Sequence, residues 1–269
     1  MDILEKVLAQ KHKEVADNKG LYPVKLLEKS IFFPSDTISL TDYLLRADML
    51  GIIAEIKRKS PSKGLIHEFV SVEQTSISYM QGGASALSIL TDQQFFGGSN
   101  DDLRTAREFN FCPILRKDFI IDEYQVLEAK SIGADAILLI AAALSPKKLL
   151  ELARFAKSLG LQVLMEVHNK QELEMHLNDH LDLVGVNNRN LKTFEVDVQT
   201  SMALSELIPA EFVKISESGI SNPNTVLHLM EYGFQGFLIG EYFMSHSRPG
   251  AACAEFIKKT KQLKATIRP

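Results

Sequence analysis

The segment "GIIAEIKRKSPSKG" (Gly51–Gly64) begins as a buried strand, then places Glu55, Lys57, Arg58 and Lys59 within five positions. "LRKDFI" does the same with Lys117, "LMEVH" with Glu166, "VGVNNRN" with Asn187 and Arg189, and "KISESGI" with Glu217. Strand side chains alternate between faces, so parity decides where these groups point. Ile52, Ala54 and Ile56 form the apolar face of the first run and leave Glu55 and Lys57 on the other. Val163, Met165 and Val167 isolate Glu166 in the same way, and Ile114 leaves Leu115 and Lys117 opposite. Val184 and Val186 leave Gly185, Asn187 and Arg189, while Glu217 shares its parity with Val213 and Ile215. One face thus collects the carboxylates Glu55, Glu166 and Glu217 with the cations Lys57, Lys117 and Arg189. Charges in a low-dielectric interior are costly unless they neutralise one another or meet a ligand. A single inward charge reads as a stabilising ion pair; six from several strands, all late in their strands, read as acid–base chemistry. A lysine set among other cations is further expected to have a lowered pKa and to donate its proton readily.

The elements that must position these groups are legible as a repeat. Eight short apolar runs, "GIIAEIK", "ALSILTD", "CPILRKD", "AILLIAA", "LQVLMEV", "LVGVNN", "VKISES" and "GFLIGE", alternate with amphipathic stretches. Among those stretches, "DEYQVLEAKSIG" and "SPKKLLELARFAKSLG" place Gly133 and Gly160 at helix C-cap positions. Ser145 before Pro146 reads as an N-cap followed by proline at the first helical position. Strand–helix alternation implies parallel pairing with right-handed crossovers. Eight such units predict the α/β class and a single (β/α)₈ TIM barrel over residues 51–269. An open doubly wound sheet is the competitor, but no GxGxxG turn follows the first strand. Residues 1–50 form an N-terminal helical extension that braces or covers one end, and no linker separates it from the barrel as a second domain. In "MDILEKVLAQKHKEV", Ile3, Leu4, Val7 and Leu8 make one helical stripe.

Barrel enzymes place their chemistry at the C-terminal ends of the strands and often hold a phosphate on the loops after strands seven and eight. Those loops carry Ser218 and Gly219, then Gly240 leading into a short helix. "KSPSKG" adds Ser60, Lys63 and Gly64 after the first strand. Each glycine alone is an ordinary turn residue; together they favour a phosphorylated substrate.

The ordered set "EIKRKSPSKG", "LRKDFI", "MEVH", "VGVNNRNL", "ISESGI" and "FLIGE" closely resembles indole-3-glycerol-phosphate synthase of tryptophan biosynthesis, over about residues 50–245. The resemblance implies conversion of 1-(2-carboxyphenylamino)-1-deoxyribulose 5-phosphate into indole-3-glycerol phosphate, carbon dioxide and water, with no cofactor or metal. By motif, Lys117 would be the principal general acid, Glu166 would move protons during dehydration, and Glu55 and Lys57 would complete the acid–base set. Asn187 and Arg189 would position the substrate, Arg189 near its carboxylate, and Glu217 would orient neighbouring groups. Ser60, Ser218, Gly219, Gly240 and Glu241 match the polar and phosphate side. Phe96 and Phe119 match an apolar wall for the anthranilate ring, and read equally well as packing residues under loops. Glu241 departs from a common pattern, in which serine helps bind phosphate. Its carboxylate would repel a dianion, so only its backbone N–H is expected to serve.

The alternatives are a Schiff-base lyase or aldolase using Lys117 or Lys57, and a phosphosugar-binding barrel without turnover. Net charge is −4, so no global field favours nucleic acid. No run is long enough for a membrane span. The N-terminus lacks a signal-peptide pattern, and two cysteines with no CxxC fit a reducing compartment. A cytoplasmic enzyme on a small-molecule phosphosugar–anthranilate substrate is the expectation. It is expected as a monomer, with transient contact to neighbouring pathway enzymes left open. His176 and His180 in "HLNDH" have a zinc-compatible spacing but read as solvated, and His168 reads as a hydrogen-bonded loop residue. The basic run "KKTKQLKATIR" reads as a solvated helix face.

Overall fold

A computed structural model describes residues 2–267; Met1 and Arg268, the ends of two sequence readings, lie outside them. Eight strands run parallel: β1 (Ile52–Ile56), β2 (Ala86–Leu90), β3 (Ile114–Lys117), β4 (Ala136–Ile140), β5 (Gln162–Val167), β6 (Leu183–Asn187), β7 (Val213–Glu217) and β8 (Gly236–Ile239). Each pairs with its sequence neighbours, and β8 returns to β1, so the sheet closes without edges. All eight apolar runs are therefore barrel strands. A two-residue antiparallel ladder, Lys59–Ser60 with Gly64–Leu65, folds the loop after β1.

The strand side chains divide into two hydrophobic layers as parity requires. Ile52, Ala54, Ile56, Ile114, Val163, Met165, Val184 and Val186 pack outward with the helix layer. Ile53, Leu115, Leu138, Leu164, Ile215 and Leu238 fill the interior. The helices begin where capping chemistry is available. Ser145 accepts from the Lys148 N–H at the start of Pro146–Ser158, and Asp122 forms a capping box with Gln125 ahead of Glu123–Ser131. Gly133 and Gly160 follow those helices with φ of 89° and 76°, the left-handed conformation that glycine adopts at least cost.

The extension acts at both ends of the barrel. Helix α1 (Ile3–Leu21) lies over the C-terminal rim, where Ile3, Leu4 and Val7 line the cavity described below. The short helix Leu40–Leu44 instead closes the opposite end. Leu40 and Leu44 join the interior core, and the Leu40 N–H donates to Gln162 Oε1 at the start of β5. Among the described residues, no helix is long and apolar enough to cross a membrane.

Candidate active site

A cavity of about 560 Å³ opens at the C-terminal rim, and all fourteen residues matched to the site by motif line it. Its floor is the top of the interior core, represented by Leu138, Ile140 and Leu238. Strand register explains the convergence. Glu55 stands opposite Ser88, Ile140 opposite Glu166, and Asn187 opposite Glu217, and the charged side chains come from alternate strands, β1, β3, β5 and β7, at their C-terminal ends.

Lys117 is the centre of the cluster. Its Nζ donates to Glu166 Oε2 at 2.7 Å and to Glu217 Oε2 at 2.6 Å. On the other side, Lys57 Nζ donates to Glu55 Oε1 at 2.8 Å, and Ser88 Oγ to Glu55 Oε2 at 3.3 Å. Asn187 Nδ2 donates to Glu166 Oε1 at 3.1 Å and so joins β6 to the catalytic candidates. Arg58 and Lys59 leave the cluster. Arg58 forms a bidentate pair with Asp102, and Lys59 donates to the Gln94 carbonyl.

The expected lowering of the lysine pKa is overturned. Burial alone would lower Lys117, but Glu166, Glu217 and Glu55 outweigh it and hold the ammonium well above the ordinary lysine range. Sequence had counted three cations and three carboxylates; the nearest neighbours of this lysine are the carboxylates. For Glu166, burial pushes upward, yet Lys117, His168 and Asn187 hold the carboxyl below its ordinary value. Glu217 moves the opposite way, because burial and the charge of Glu166 outweigh its bond to Lys117. The site therefore pairs a carboxylate held ionised with one biased toward its acid, an arrangement that sorts base from acid in a shared environment.

Two glycines make room for these carboxylates. A Cβ on Gly185 would stand 2.5 Å from Glu217 Oε1, and a Cβ on Gly240 would stand 3.0 Å from Glu55 Cβ. Gly240 thus has a packing reason beyond any contact with phosphate. Gly185→Ala should displace the Glu217 carboxyl while leaving the strand paired. A misplacement of about 1 Å can cost about 10²-fold in rate, so kcat should fall on that order with little change in the thermal unfolding midpoint. A variant with wild-type kcat would show that Glu217 placement is not critical.

The opposite side of the cavity is the polar mouth. Ser218 and Gly219 have successive φ values of 68° and 76°, turning the backbone sharply after β7. Ser218 bears the usual strain of a non-glycine residue there, a feature that concentrates at functional sites. Arg189 Nη2 donates to Glu241 Oε2 at 2.9 Å, and Lys63 Nζ lies 3.5 Å from Glu241 Oε1. The Glu241 carboxylate is thus held by two cations. Phe96 and Phe119 face each other across the cavity wall, with ring centroids 6.0 Å apart.

Sequence reasoning expected the extension to brace or cover one end but missed its anchor. Lys11 on α1 is fully buried and reaches Asp118 Oδ1 at 2.8 Å and Asp92 Oδ2 at 3.0 Å. Asp92 caps the helix Gln93–Phe96 through the Phe95 and Phe96 N–H groups, and Asp118 adjoins Lys117. Arg116 extends the network, donating from Nη2 to Glu128 at 2.5 Å and to Asp118 at 3.2 Å. One signal was available: Lys11 falls four residues after Val7 and four before Val15, on the buried stripe of α1. His176, read as solvated, is buried instead, with Nδ1 against the Glu172 carbonyl and Nε2 against the Leu144 carbonyl.

A closed parallel barrel with this acid–base cluster on its C-terminal rim defines an enzyme of the (β/α)₈-barrel class. The family model described as indole-3-glycerol phosphate synthase matches residues 4–256. Relatives carrying that name support it. The Bacteroides thetaiotaomicron protein is 49% identical over 257 residues, covering 96% of this chain and 98% of the relative. The Laribacter hongkongensis protein is 45% identical, covering 94% and 98%. The chain belongs to the indole-3-glycerol phosphate synthase family. Two solved structures share the fold alone. "Native KDPGal structure" has a TM-score of 0.54 and 14% identity, covering 79% of this chain and 97% of that one. A cube-shaped designed protein cage has a TM-score of 0.58 and 15% identity, covering 81% and 76%.

Proposed function

We propose that the chain carries out the reaction of its family, converting 1-(2-carboxyphenylamino)-1-deoxyribulose 5-phosphate into indole-3-glycerol phosphate, carbon dioxide and water. The observation that carries this reading is the Lys117 ammonium held between Glu166 and Glu217 in the cavity. The anthranilate ring lies against Phe96 and Phe119, its carboxylate is drawn to Arg189 and Lys57, and Asn187 sets its tilt. The phosphate rests near Ser60, Ser218, Gly219 and Gly240, with the Glu241 backbone at its edge and the Glu241 carboxylate giving up Lys63.

In this geometry the ring carbon bearing the carboxylate attacks the ribulose carbonyl. A carbon–carbon bond forms, and the carbonyl π pair takes the proton from Lys117 Nζ. Carbon dioxide then leaves, its bonding pair restoring aromaticity. Lys57, beside Glu55, gives the proton that carries off the hydroxyl as water, and Glu166 removes the proton from the adjacent carbon. Positioned proton transfer of this kind contributes about 10²–10⁴-fold per step.

A Schiff-base lysine must be neutral to attack a carbonyl, whereas Lys117 is held charged by its carboxylates. Binding without turnover would need only the anion side of the cavity. Mixing the protein with the substrate and following indole fluorescence tests the proposal: a saturable rise is expected, and no rise at saturating substrate would refute it. Borohydride added during turnover should leave no substrate adduct on Lys117 or Lys57. We read residues 1–50 and 51–269 as one folding unit, monomeric and cytoplasmic. The buried free thiols of Cys112 and Cys253, both pushed up to about 12 chiefly by burial, accord with that compartment.

A further inference from the structure

The proposed reaction consumes protons inside a closed site. The substrate carboxylate leaves as carbon dioxide with its electron pair left behind. One proton goes to the carbonyl oxygen and a second departs in water, while one returns from carbon. The balance is a net uptake of one proton per turnover. That proton must reach a cluster whose carboxylates, Glu55, Glu166 and Glu217, are all buried, while substrate occupies the cavity.

His168 stands between this cluster and the surface. It lies two residues beyond Glu166 and does not line the cavity. Its Nε2 is buried, makes no hydrogen bond among the described residues, and lies 3.4 Å from Glu166 Oε1. Its Nδ1 is 3.1 Å from Glu172 Oε2. Glu172, on the helix Lys170–His176, is half-buried, and its carboxylate also accepts from the His168 N–H and from Asn169 Nδ2, each at 2.7 Å. A histidine kept only for packing would satisfy both nitrogens, as His176 does.

We infer that His168 is a positioning residue that feeds a solvent proton from Glu172 to the buried Glu166 carboxylate. The inference rests on the reaction proposed above. The imidazolium passes its Nε2 proton to Glu166 Oε1. The Glu166 carboxyl turns to present that proton to the Lys117 amine left neutral by ring closure, whose Nζ lies 2.7 Å from Oε2, and is again ionised for its role as base. The neutral ring shifts its remaining proton to Nε2 and takes another at Nδ1, which the ionised Glu172 carboxylate first accepts from water and then passes on. Lys57 recovers its proton at the mouth, and Glu166 releases the carbon-derived one, after product leaves. The groups facing the ring are Glu166 on β5, Glu172 on its helix and Glu217 on β7, with Lys117 behind Glu166. Burial favours the neutral ring, but Glu172, Glu166 and Glu217 outweigh it and raise His168 above the ordinary 6.5. The charged donor is thus present below that raised value and is lost as pH rises through it.

Multiple-turnover rates at saturating substrate, measured for wild type, His168→Gln and His168→Ala across about pH 6–9, test the inference. Turnover by wild type checks the underlying reaction separately; no product from wild type would overturn both. With an active wild type, each variant should be slowed about ten-fold or more, with substrate affinity little changed. The alkaline fall in rate assigned to His168 should disappear, and imidazole buffer should restore His168→Ala. If the alanine variant does not fold, the rate and pH profile of His168→Gln decide the matter. Wild-type rate and pH profile in His168→Gln would overturn the inference alone. A slowed, folded His168→Ala that ignores imidazole and keeps the alkaline limb would do the same.

Discussion

Lys117→Ala is expected to lower kcat by about 10²–10⁴-fold or more, while the barrel remains folded. The proton donor at the carbonyl is lost, and no other cation is bonded to both Glu166 and Glu217. Folding survives because the interior core lies below the cluster and because Glu217 is already biased toward its protonated form. Without the ammonium, the facing carboxyls will bind protons more readily in the folded state than in the unfolded chain. Their folded pKa values are then raised, so these groups contribute most stability at low pH and that contribution is lost as pH rises through them. Pre-steady-state kinetics and thermal melts at mildly acidic and alkaline pH would check both parts. Near-wild-type turnover would show that another residue is the acid.

Lys11→Met should cause a large loss of stability although it lies outside the cavity. Removing one member of a buried ion pair costs about 3–5 kcal/mol, because the remaining charge is left uncompensated. Here two partners are exposed to that loss, and Asp92 Oδ2 makes no hydrogen bond that could replace the ammonium. At roughly 2–4 °C per kcal/mol for a chain of this size, the unfolding midpoint should fall by about 6–20 °C. The effect should persist in high salt, since buried pairs are little screened. Burial pushes Asp118 upward, but Lys11 and Arg116 outweigh it and hold its carboxyl down to about 2. Asp118 therefore stabilises the fold fully above the ordinary carboxylate range and loses that contribution as pH falls toward about 2. Lys11→Met should flatten this acid limb. A midpoint within about 1–2 °C of wild type would contradict the proposed anchor.

Strand parity was legible because a closed barrel demands a largely apolar outer layer, so most strand charges face inward; Arg116, paired with Glu128 in the helix layer, is the exception. That argument located Glu55, Lys57, Lys117 and Glu166 from their apolar neighbours alone; Glu217, which shares its parity with Val213 and Ile215, was placed by its position at the end of its strand. Which charges touch was not legible, since pairing depends on stagger between strands that are distant in sequence. The sign of the Lys117 shift was misread for that reason. The stripe on α1 was visible, but its direction was not: an amphipathic helix records that it packs, without recording against what. Gly185 and Gly240 looked like loop or strand glycines because the side chains that need their space arrive from β7 and β1. His176 was taken as solvated because its two carbonyl partners come from its own helix and from a loop over thirty residues away.

The most direct measurement is a crystal structure of the protein with the deoxyribulose phosphate substrate or a close unreactive analogue bound. The ribulose oxygen should lie within hydrogen-bond distance of Lys117 Nζ, about 3 Å. The phosphate should rest by Ser218, Gly219 and Gly240, with the aromatic ring against Phe96 and Phe119. A phosphosugar bound away from this rim, or one whose carbonyl is held beyond the reach of Lys117, would contradict the account.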